Sequence, residues 1–261
     1  MSRPVRAMAV STDSAIRGAL IDETYAIFRA WDFQLSKLEN LTDTASLNAI
    51  GASSRSWAAQ VAKVLKRRFD PAGRDKALVD LAKAGCDREI WKPLLLYHMT
   101  RDEFLVRDFL VNWLFPQFRA GAYRLRADDV FPYLNGLRKK SDIEWSGNWR
   151  DSTLKRVGSG LLRIATDFGL LEGSQTREIA SYHLPEESFL YLLHAMMDRD
   201  ANARRVIDSE DWRLFLMGAE DVECELLRLH QFRRIEYEVA GSLAQIKLPA
   251  ASAADFAREL H

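Results

Sequence analysis

Hydrophobic residues recur every three or four positions through most of the chain, a spacing that places them on one side of an α-helix. The clearest example begins at Asp151 or Ser152, either of which can cap a helix, and stops at Gly169, where a helix can end. The apolar stripe between these ends consists of Leu154, Val157, Leu161, Ala165 and Phe168. The pattern therefore predicts one amphipathic helix with its apolar side against a core.

The opposite side of this predicted helix carries hydroxyl and cationic side chains with no carboxylate between them. These residues are Ser152, Lys155, Arg156, Ser159 and Arg163. Such groups donate hydrogen bonds to DNA phosphates, and a guanidinium can also bind the edge of a guanine in the major groove. The alternative is an ordinary solvated helix face, because exposed faces often contain Lys and Arg and many helix-turn-helix folds bind only proteins.

The neighbouring segments complete a helix-turn-helix pattern. Asp128 opens an apolar helix that ends in the basic run 138–140, and a turn follows it. Beyond Gly173, polar residues alternate with Ile179, which indicates a wing. We therefore predict that cations on the flanks join the DNA-binding surface. The predicted set is Ser152, Lys155, Arg156 and Arg163, supported by Arg150, Lys139, Lys140 and Arg177.

The other periodic segments predict a mainly α fold with small β-hairpins. Residues 15–31 fit a continuous helix, and the segments 90–99 and 104–118 are apolar nearly all round, as is typical of central helices. Clear strand alternation occurs at 233–248, where a turn at 240–242 predicts a hairpin.

A connector at 121–126 suggests where two domains meet. We expect an all-helical N-terminal domain (14–121), a helix-turn-helix or winged-helix-like C-terminal domain (122–250) and a tail (251–261). Residues 1–13 lack periodicity, so they are expected to be a frayed or lightly docked terminus.

Charge is balanced overall but unevenly distributed. Lys plus Arg equals Asp plus Glu at 37 each, so nucleic-acid binding has to depend on where the cations lie. Residues 53–69 contain five Lys or Arg and no acid, and Lys66, Arg67 and Arg68 there form a predicted second basic patch. Residues 208–225 reverse the balance, with seven acids against Arg213.

The sequence contains no motif of a catalytic or metal site that we could identify. Gly158-Ser-Gly160 lies inside a predicted helix with no preceding strand, so it is interpreted as close helix packing. The five histidines show no metal-like spacing with either cysteine, and His98 is interpreted as a buried, hydrogen-bonded packing residue. We expect no enzyme activity, no cofactor and no metal.

Cysteine use and hydropathy bear on localisation. Cys86 and Cys224 are far apart and belong to no CxxC pair, which suits free thiols in a reducing cytosol. The longest charge-free apolar run, 188–197, is about half of the ~20 residues that a spanning helix needs. A cytoplasmic protein with no membrane contact is expected.

Several blocks of sequence, in order from about residue 14 to 248, carry a family resemblance. They are Arg17–Trp31, Leu94–His98 with Arg107–Leu110, Ser152–Leu162 with Asp167–Gly173, and Asp211–Phe215. Together they resemble the BrxA family of bacterial BREX phage-exclusion systems. The resemblance implies a non-enzymatic, DNA-binding accessory of phage defence, with an all-helical first half similar to the RNA-binding antitermination factor NusB. It supplies no DNA-contact residues.

The leading hypothesis is binding of double-stranded DNA, mainly through phosphates, with other BREX components as further partners. RNA binding through the N-terminal helical half is one alternative, suggested by its acid-free basic helix. A protein scaffold within the defence complex, docking through the acidic segment 208–225, is the other. The oligomeric state does not follow from the sequence.

Overall fold

Helices make up most of the chain, as its hydrophobic periodicity predicts. The computed structural model describes residues 9–10, 12–42, 51, 54–140, 143–145, 149–241 and 243–260. The helical elements are α1 (Thr12–Arg17), α2 (Ile21–Arg29), α3 (Lys37–Thr42), α4 (Arg55–Arg67), α5 (Lys76–Ala84), α6 (Arg88–Thr100), α7 (Phe104–Asp108), a π-helical segment (Phe109–Leu114), α8 (Phe115–Arg119), α9 (Ala127–Arg138), α10 (Asp151–Asp167), α11 (Glu186–Met197), α12 (Ala203–Ile207), a 3-10 segment (Glu210–Phe215), α13 (Ala219–Gln231) and α14 (Ala253–Arg258).

Short strands form small sheets between these helices. The strands are β1 (Ala9–Val10), β2 (Arg124–Leu125), β3 (Glu144–Trp145), β4 (Leu171–Gly173), β5 (Arg177–Ile179), β6 (Glu236–Ala240) and β7 (Leu243–Lys247). β1 pairs with β3 in parallel, whereas β2, β5 and β4 form an antiparallel sheet in that spatial order. β6 and β7 form a separate antiparallel pair, which confirms the hairpin predicted at 233–248. The mainly α fold with small hairpins is confirmed.

A continuous hydrophobic core runs through the described chain. α1 packs against α10, α11 packs against α6, and α14 packs against α5. Helices from both predicted domains therefore contribute to the same core, and the division near residue 121 remains a prediction.

The continuous helix predicted over residues 15–31 is wrong, because the chain leaves the helical path between α1 and α2. Gly18 and Leu20 both have positive φ, at 84° and 56°. The backbone groups at this break form hydrogen bonds with residues far away in the sequence. The guanidinium of Arg68 donates to the carbonyl oxygens of Gly18 and Ala19, and the N–H of Ala19 donates to Asp167 Oδ2 over 3.2 Å. Burial raises the pKa of Asp167, against the lowering effect of that hydrogen bond.

The sequence predicts a frayed or lightly docked terminus over residues 1–13; the described residues 9–10 and 12–13 are docked and not frayed, while residues 1–8 and 11 lie outside the described residues. β1 pairs with β3, and α1 packs against α10. The approach of α1 is close because residue 160 is glycine: a Cβ there would lie 2.1 Å from the carbonyl oxygen of Ala15. The segment before Gly18 therefore belongs to the same packed unit as α10.

His98 is a packing residue, as predicted. Its Nδ1 lies 2.6 Å from Asp75 Oδ1, and its Nε2 lies 3.0 Å from the hydroxyl of Tyr191 on α11. Burial lowers the pKa of His98, against the effect of Asp75, so the neutral ring donates to Asp75 and accepts from Tyr191. The ring therefore joins α6 to α11 by hydrogen bonds.

Candidate nucleic-acid interface

Two helices and a three-stranded sheet form the region in which the sequence predicts DNA binding. α9 and α10 correspond to the two predicted helices of the helix-turn-helix, and β4 and β5 form a hairpin directly after α10. α9 packs against α10, where a Cβ on Gly158 would lie 3.4 Å from both the carbonyl oxygen of Ala127 and the Cβ of Val130. At Gly160, two residues further on, α1 also packs closely against α10. These two close contacts confirm that Gly158-Ser-Gly160 is a helix-packing element.

The first turn of α10 differs from the sequence expectation. Arg150, rather than Asp151 or Ser152, occupies the N-cap position, and its side chain makes no capping hydrogen bond. Both Arg150 and Ser152 are exposed. The Ser152 hydroxyl is therefore not used as a helix cap and lies on the solvent side of α10.

The two faces of α10 are separated as predicted. The apolar stripe is buried, with Leu154, Val157, Leu161 and Ala165 each at 0% exposure. The opposite face is exposed at every predicted position: Ser152, Lys155, Arg156, Ser159 and Arg163. The packing therefore presents the hydroxyls and cations of α10 together to solvent.

Cations at the start of α10 and after α9 extend this surface. Lys139 and Lys140 follow the last residue of α9 and are exposed, as is Arg150. Within the ranges that the structure describes, none of Lys139, Lys140, Arg150, Arg156 and Arg163 forms an ion pair. The charges of Lys139, Lys140, Arg150 and Arg156 are therefore available to an external anion, whereas the charge of Arg163 also acts on the carboxylate of Asp167, opposing the rise in its pKa that burial causes.

Lys155 has a different environment, because a carboxylate stands beside it. Its Nζ lies 4.0 Å from Asp128 Oδ1, and the two side chains are 63% and 82% exposed. An ion pair this long and this exposed stabilises the fold little. Asp128 nevertheless places a negative charge at the edge of the candidate DNA surface.

Arg177 lies in a more enclosed position than the other predicted contacts. It is half-buried, and its Nε donates to Thr166 Oγ1 on α10 over 3.2 Å. Burial lowers its pKa, with Asp167 acting in the opposite direction. Arg177 thus fastens β5 to the C-terminal end of α10, in addition to any contact it makes with DNA.

The predicted second patch at Lys66, Arg67 and Arg68 is not a continuous surface. Lys66 is exposed, Arg67 is half-buried and paired with Glu103, and Arg68 is completely buried. Arg68 Nε lies 3.2 Å from Glu103 Oε1, because the buried carboxylate of Glu103 draws both arginines toward the core. Arg68 is therefore corrected from a surface cation to an interior one.

Trp149, in the turn before α10, is buried and therefore packs in the core rather than facing solvent; the side chain of Trp145 lies outside the described residues. Sequence reasoning missed Arg126, the exposed residue between β2 and α9. Its Nε donates to Thr176 Oγ1, in the loop between β4 and β5, over 3.2 Å. The alternation of exposed Arg124 and Arg126 around buried Leu125 was the available signal for this position.

The described part of the chain has no cluster of His, Cys, Asp or Glu arranged to hold a metal ion. None of its described helices combines the length and the apolar character needed to cross a membrane.

Comparison with known proteins identifies a family. A family model described as BrxA matches residues 11–195. Comparisons with curated proteins and with solved structures give no match. The matched range contains α9, α10 and the whole β2–β5–β4 sheet, so the candidate interface lies within the part of the chain that the family model covers.

Proposed function

The chain belongs to the BrxA family and is therefore a BREX-associated protein, and from this premise we propose that it is a non-enzymatic accessory that binds double-stranded DNA in the cytoplasm. α9 and α10 would act as a winged helix-turn-helix, with α10 in the major groove and the β4–β5 hairpin as the wing. The observation that carries the proposal is the polar face of α10, on which Ser152, Lys155, Arg156, Ser159 and Arg163 are all exposed.

The order of elements supports this reading. β2, α9, α10, β4 and β5 follow one another along the chain, and the strands assemble in the order β2–β5–β4. This arrangement places a hairpin next to the C-terminal end of the second helix, as in a winged helix-turn-helix. The exposed N-terminal half of α10 can then enter a groove while the hairpin reaches the neighbouring backbone.

The distribution of charge supports phosphate contacts in particular. The whole chain has a formal net charge of zero, yet exposed cations without a described ion-pair partner collect along α10 and at the end of α9. Each cation that replaces a counterion on B-DNA contributes a slope of about −0.9 to the dependence of log K on log salt. Binding should therefore weaken steeply as the salt concentration rises.

The test is fluorescence anisotropy of the full chain with matched duplex DNA, single-stranded DNA and RNA across a salt series. We expect salt-sensitive binding to duplex DNA and a loss of about 100-fold or more for Lys155→Glu/Arg156→Glu at ~0.1 M salt, since two contacts become repulsions. The matched control is Arg55→Glu/Lys66→Glu, which reverses two exposed cations on α4 and should leave duplex binding within about threefold of the wild type.

The control pair also discriminates between the alternatives. A preference for RNA, lost with Arg55→Glu/Lys66→Glu, would instead favour an N-terminal RNA site. Failure of the folded wild-type chain to bind any of the three nucleic acids would refute the proposal. Thermal unfolding of each variant separates loss of contact from loss of structure.

A change at Asp128 should strengthen DNA binding. Asp128→Asn removes the carboxylate that competes with a phosphate for Lys155 Nζ, 4.0 Å away. The expected gain is about threefold in affinity at low salt, in line with the modest strength of exposed ion pairs. The same anisotropy assay measures it.

A double-mutant cycle shows whether Asp128 acts through Lys155. In a Lys155→Ala background, the gain from Asp128→Asn should be smaller, because the competing pair no longer exists. An equal gain in both backgrounds would mean that Asp128 only adds a general negative charge. Asp129 is unsuitable for this comparison because its carboxylate accepts the N–H of Arg126 at the start of α9.

A further inference from the structure

Arg126 lies where β2, α9 and the β4–β5 hairpin meet. β2 pairs with β5 so that Arg124 is opposite Glu178 and Leu125 is opposite Arg177. Arg126 is the first residue after β2 and lies beside Thr176, in the loop of the hairpin, where Arg126 Nε donates to Thr176 Oγ1 over 3.2 Å. This bond holds an exposed guanidinium against the tip of the hairpin.

Among the described residues Arg126 has no ion-pair partner, in contrast to Arg124 on the preceding strand β2. Arg124 Nε lies 3.4 Å from Glu178 Oε1. The side chain of Arg126 forms no ion pair with any residue that the structure describes, and its hydrogen-bond partner is a neutral hydroxyl. Because only Nε is used, the two Nη groups remain able to donate to an anion, and a guanidinium binds phosphate in a bidentate manner.

Arg126 is also close to α10. Asp128, two residues further on, approaches Lys155 to within 4.0 Å. The carbonyl oxygen of Ala127 would lie 3.4 Å from a Cβ on Gly158. The segment around Arg126 therefore runs beside the exposed N-terminal half of α10, and the exposed carboxylate of Asp128 lies between Arg126 and Lys155.

The hairpin loop is built to bring Thr176 to this position. Gly173 has a φ of 95°, and a Cβ there would lie 2.5 Å from the carbonyl oxygen of Thr176. Only glycine permits this tight return of the chain without strain. Ser174 and Gln175, between them, are exposed and offer further hydrogen-bond donors.

We propose that Arg126 is a second DNA-binding element, whose guanidinium binds a backbone phosphate while Thr176 fixes its orientation. The phosphate would belong to the duplex backbone that borders the groove occupied by α10, on the side of the hairpin. This inference rests on the proposed DNA-binding function, and it extends the binding surface beyond the polar face of α10.

The test compares Arg126→Ala with Arg124→Ala in the duplex-DNA salt series. Loss of one phosphate contact should reduce the magnitude of the slope of log K against log salt by about one and weaken binding about five- to tenfold at ~0.1 M salt. Arg124→Ala, which removes a charge already paired with Glu178, should stay within about twofold of the wild type. Arg126→Lys should retain the slope but bind about threefold more weakly, since it keeps the charge and loses the planar fork.

The possible outcomes separate this inference from the proposed function. An unchanged slope for Arg126→Ala, or equal losses for Arg126→Ala and Arg124→Ala, would overturn the phosphate contact at Arg126. If Lys155→Glu/Arg156→Glu abolishes binding while Arg126→Ala binds like the wild type, only this inference fails. If the wild type does not bind duplex DNA, both fail. Unfolding curves of the variants exclude misfolding as the cause.

Discussion

Glu103→Ala is expected to lower the free energy of unfolding by about 3–5 kcal/mol, because it leaves a buried guanidinium without its carboxylate. The side chain of Arg68 is 0% exposed and that of Glu103 is 4% exposed, with Arg68 Nε 3.2 Å from Glu103 Oε1. Burial lowers the pKa of Arg68, and Glu103 opposes this effect. Urea unfolding followed by circular dichroism measures the loss.

Arg67→Ala is the matched control, because Arg67 contacts the same carboxylate from a side chain that is 32% exposed. It should cost less than about 1 kcal/mol. The double variant Arg68→Met/Glu103→Ala should lose less than the sum of its single variants, since it leaves no uncompensated charge in the core. A Glu103→Ala protein as stable as the Arg67→Ala protein would contradict the buried pair.

This pair also affects how nucleic-acid binding is tested. Reversing the charge of Arg68 would place two carboxylates together in the core, and any loss of binding would then report unfolding. The same objection does not apply to Arg55 and Lys66, which are exposed on α4. A test of the N-terminal half as an RNA site therefore has to use those two residues.

Features that depend on local periodicity could be predicted from the sequence. α9, α10 and the β6–β7 hairpin lie where the hydrophobic pattern places them, and the polar face of α10 is exposed at every predicted position. This follows because the apolar stripe on one side of a helix determines which side is left for solvent. The exposed face of α10 could therefore be predicted without knowing which elements pack against the helix.

Features that depend on distant partners could not be predicted in this way. Arg68 looks like part of a basic run until Glu103, 35 positions away, draws it into the core. The helix break at Gly18 and Ala19 is stabilised by Arg68 and by Asp167, which is 148 positions from Ala19. Arg126 likewise acquires its position from Thr176, 50 positions away. Each miss arises from a contact that closes a long loop, for which local periodicity carries no signal.

Gly160→Ala is expected to destabilise the protein by about 3 kcal/mol, because overpacking at this point cannot be relieved by a rotamer change. The added Cβ would lie 2.1 Å from the carbonyl oxygen and 2.7 Å from the carbonyl carbon of Ala15, both backbone atoms of α1. α1 would have to move away from α10. Urea unfolding measures the loss of stability, and trypsin cleavage after Arg17 should become faster because α1 is released from its site.

Gly136→Ala is the control within the neighbouring helix. Gly136 lies in α9, and a Cβ there would meet nothing within 4 Å. This substitution should stabilise the protein by about 0.5–1 kcal/mol, because alanine restricts the unfolded chain and favours a helix. If Gly160→Ala instead matches Gly136→Ala in stability and in resistance to trypsin, α1 does not pack on α10 at Gly160. The N-terminal segment would then lie outside the unit formed by α9 and α10, as the sequence alone suggests.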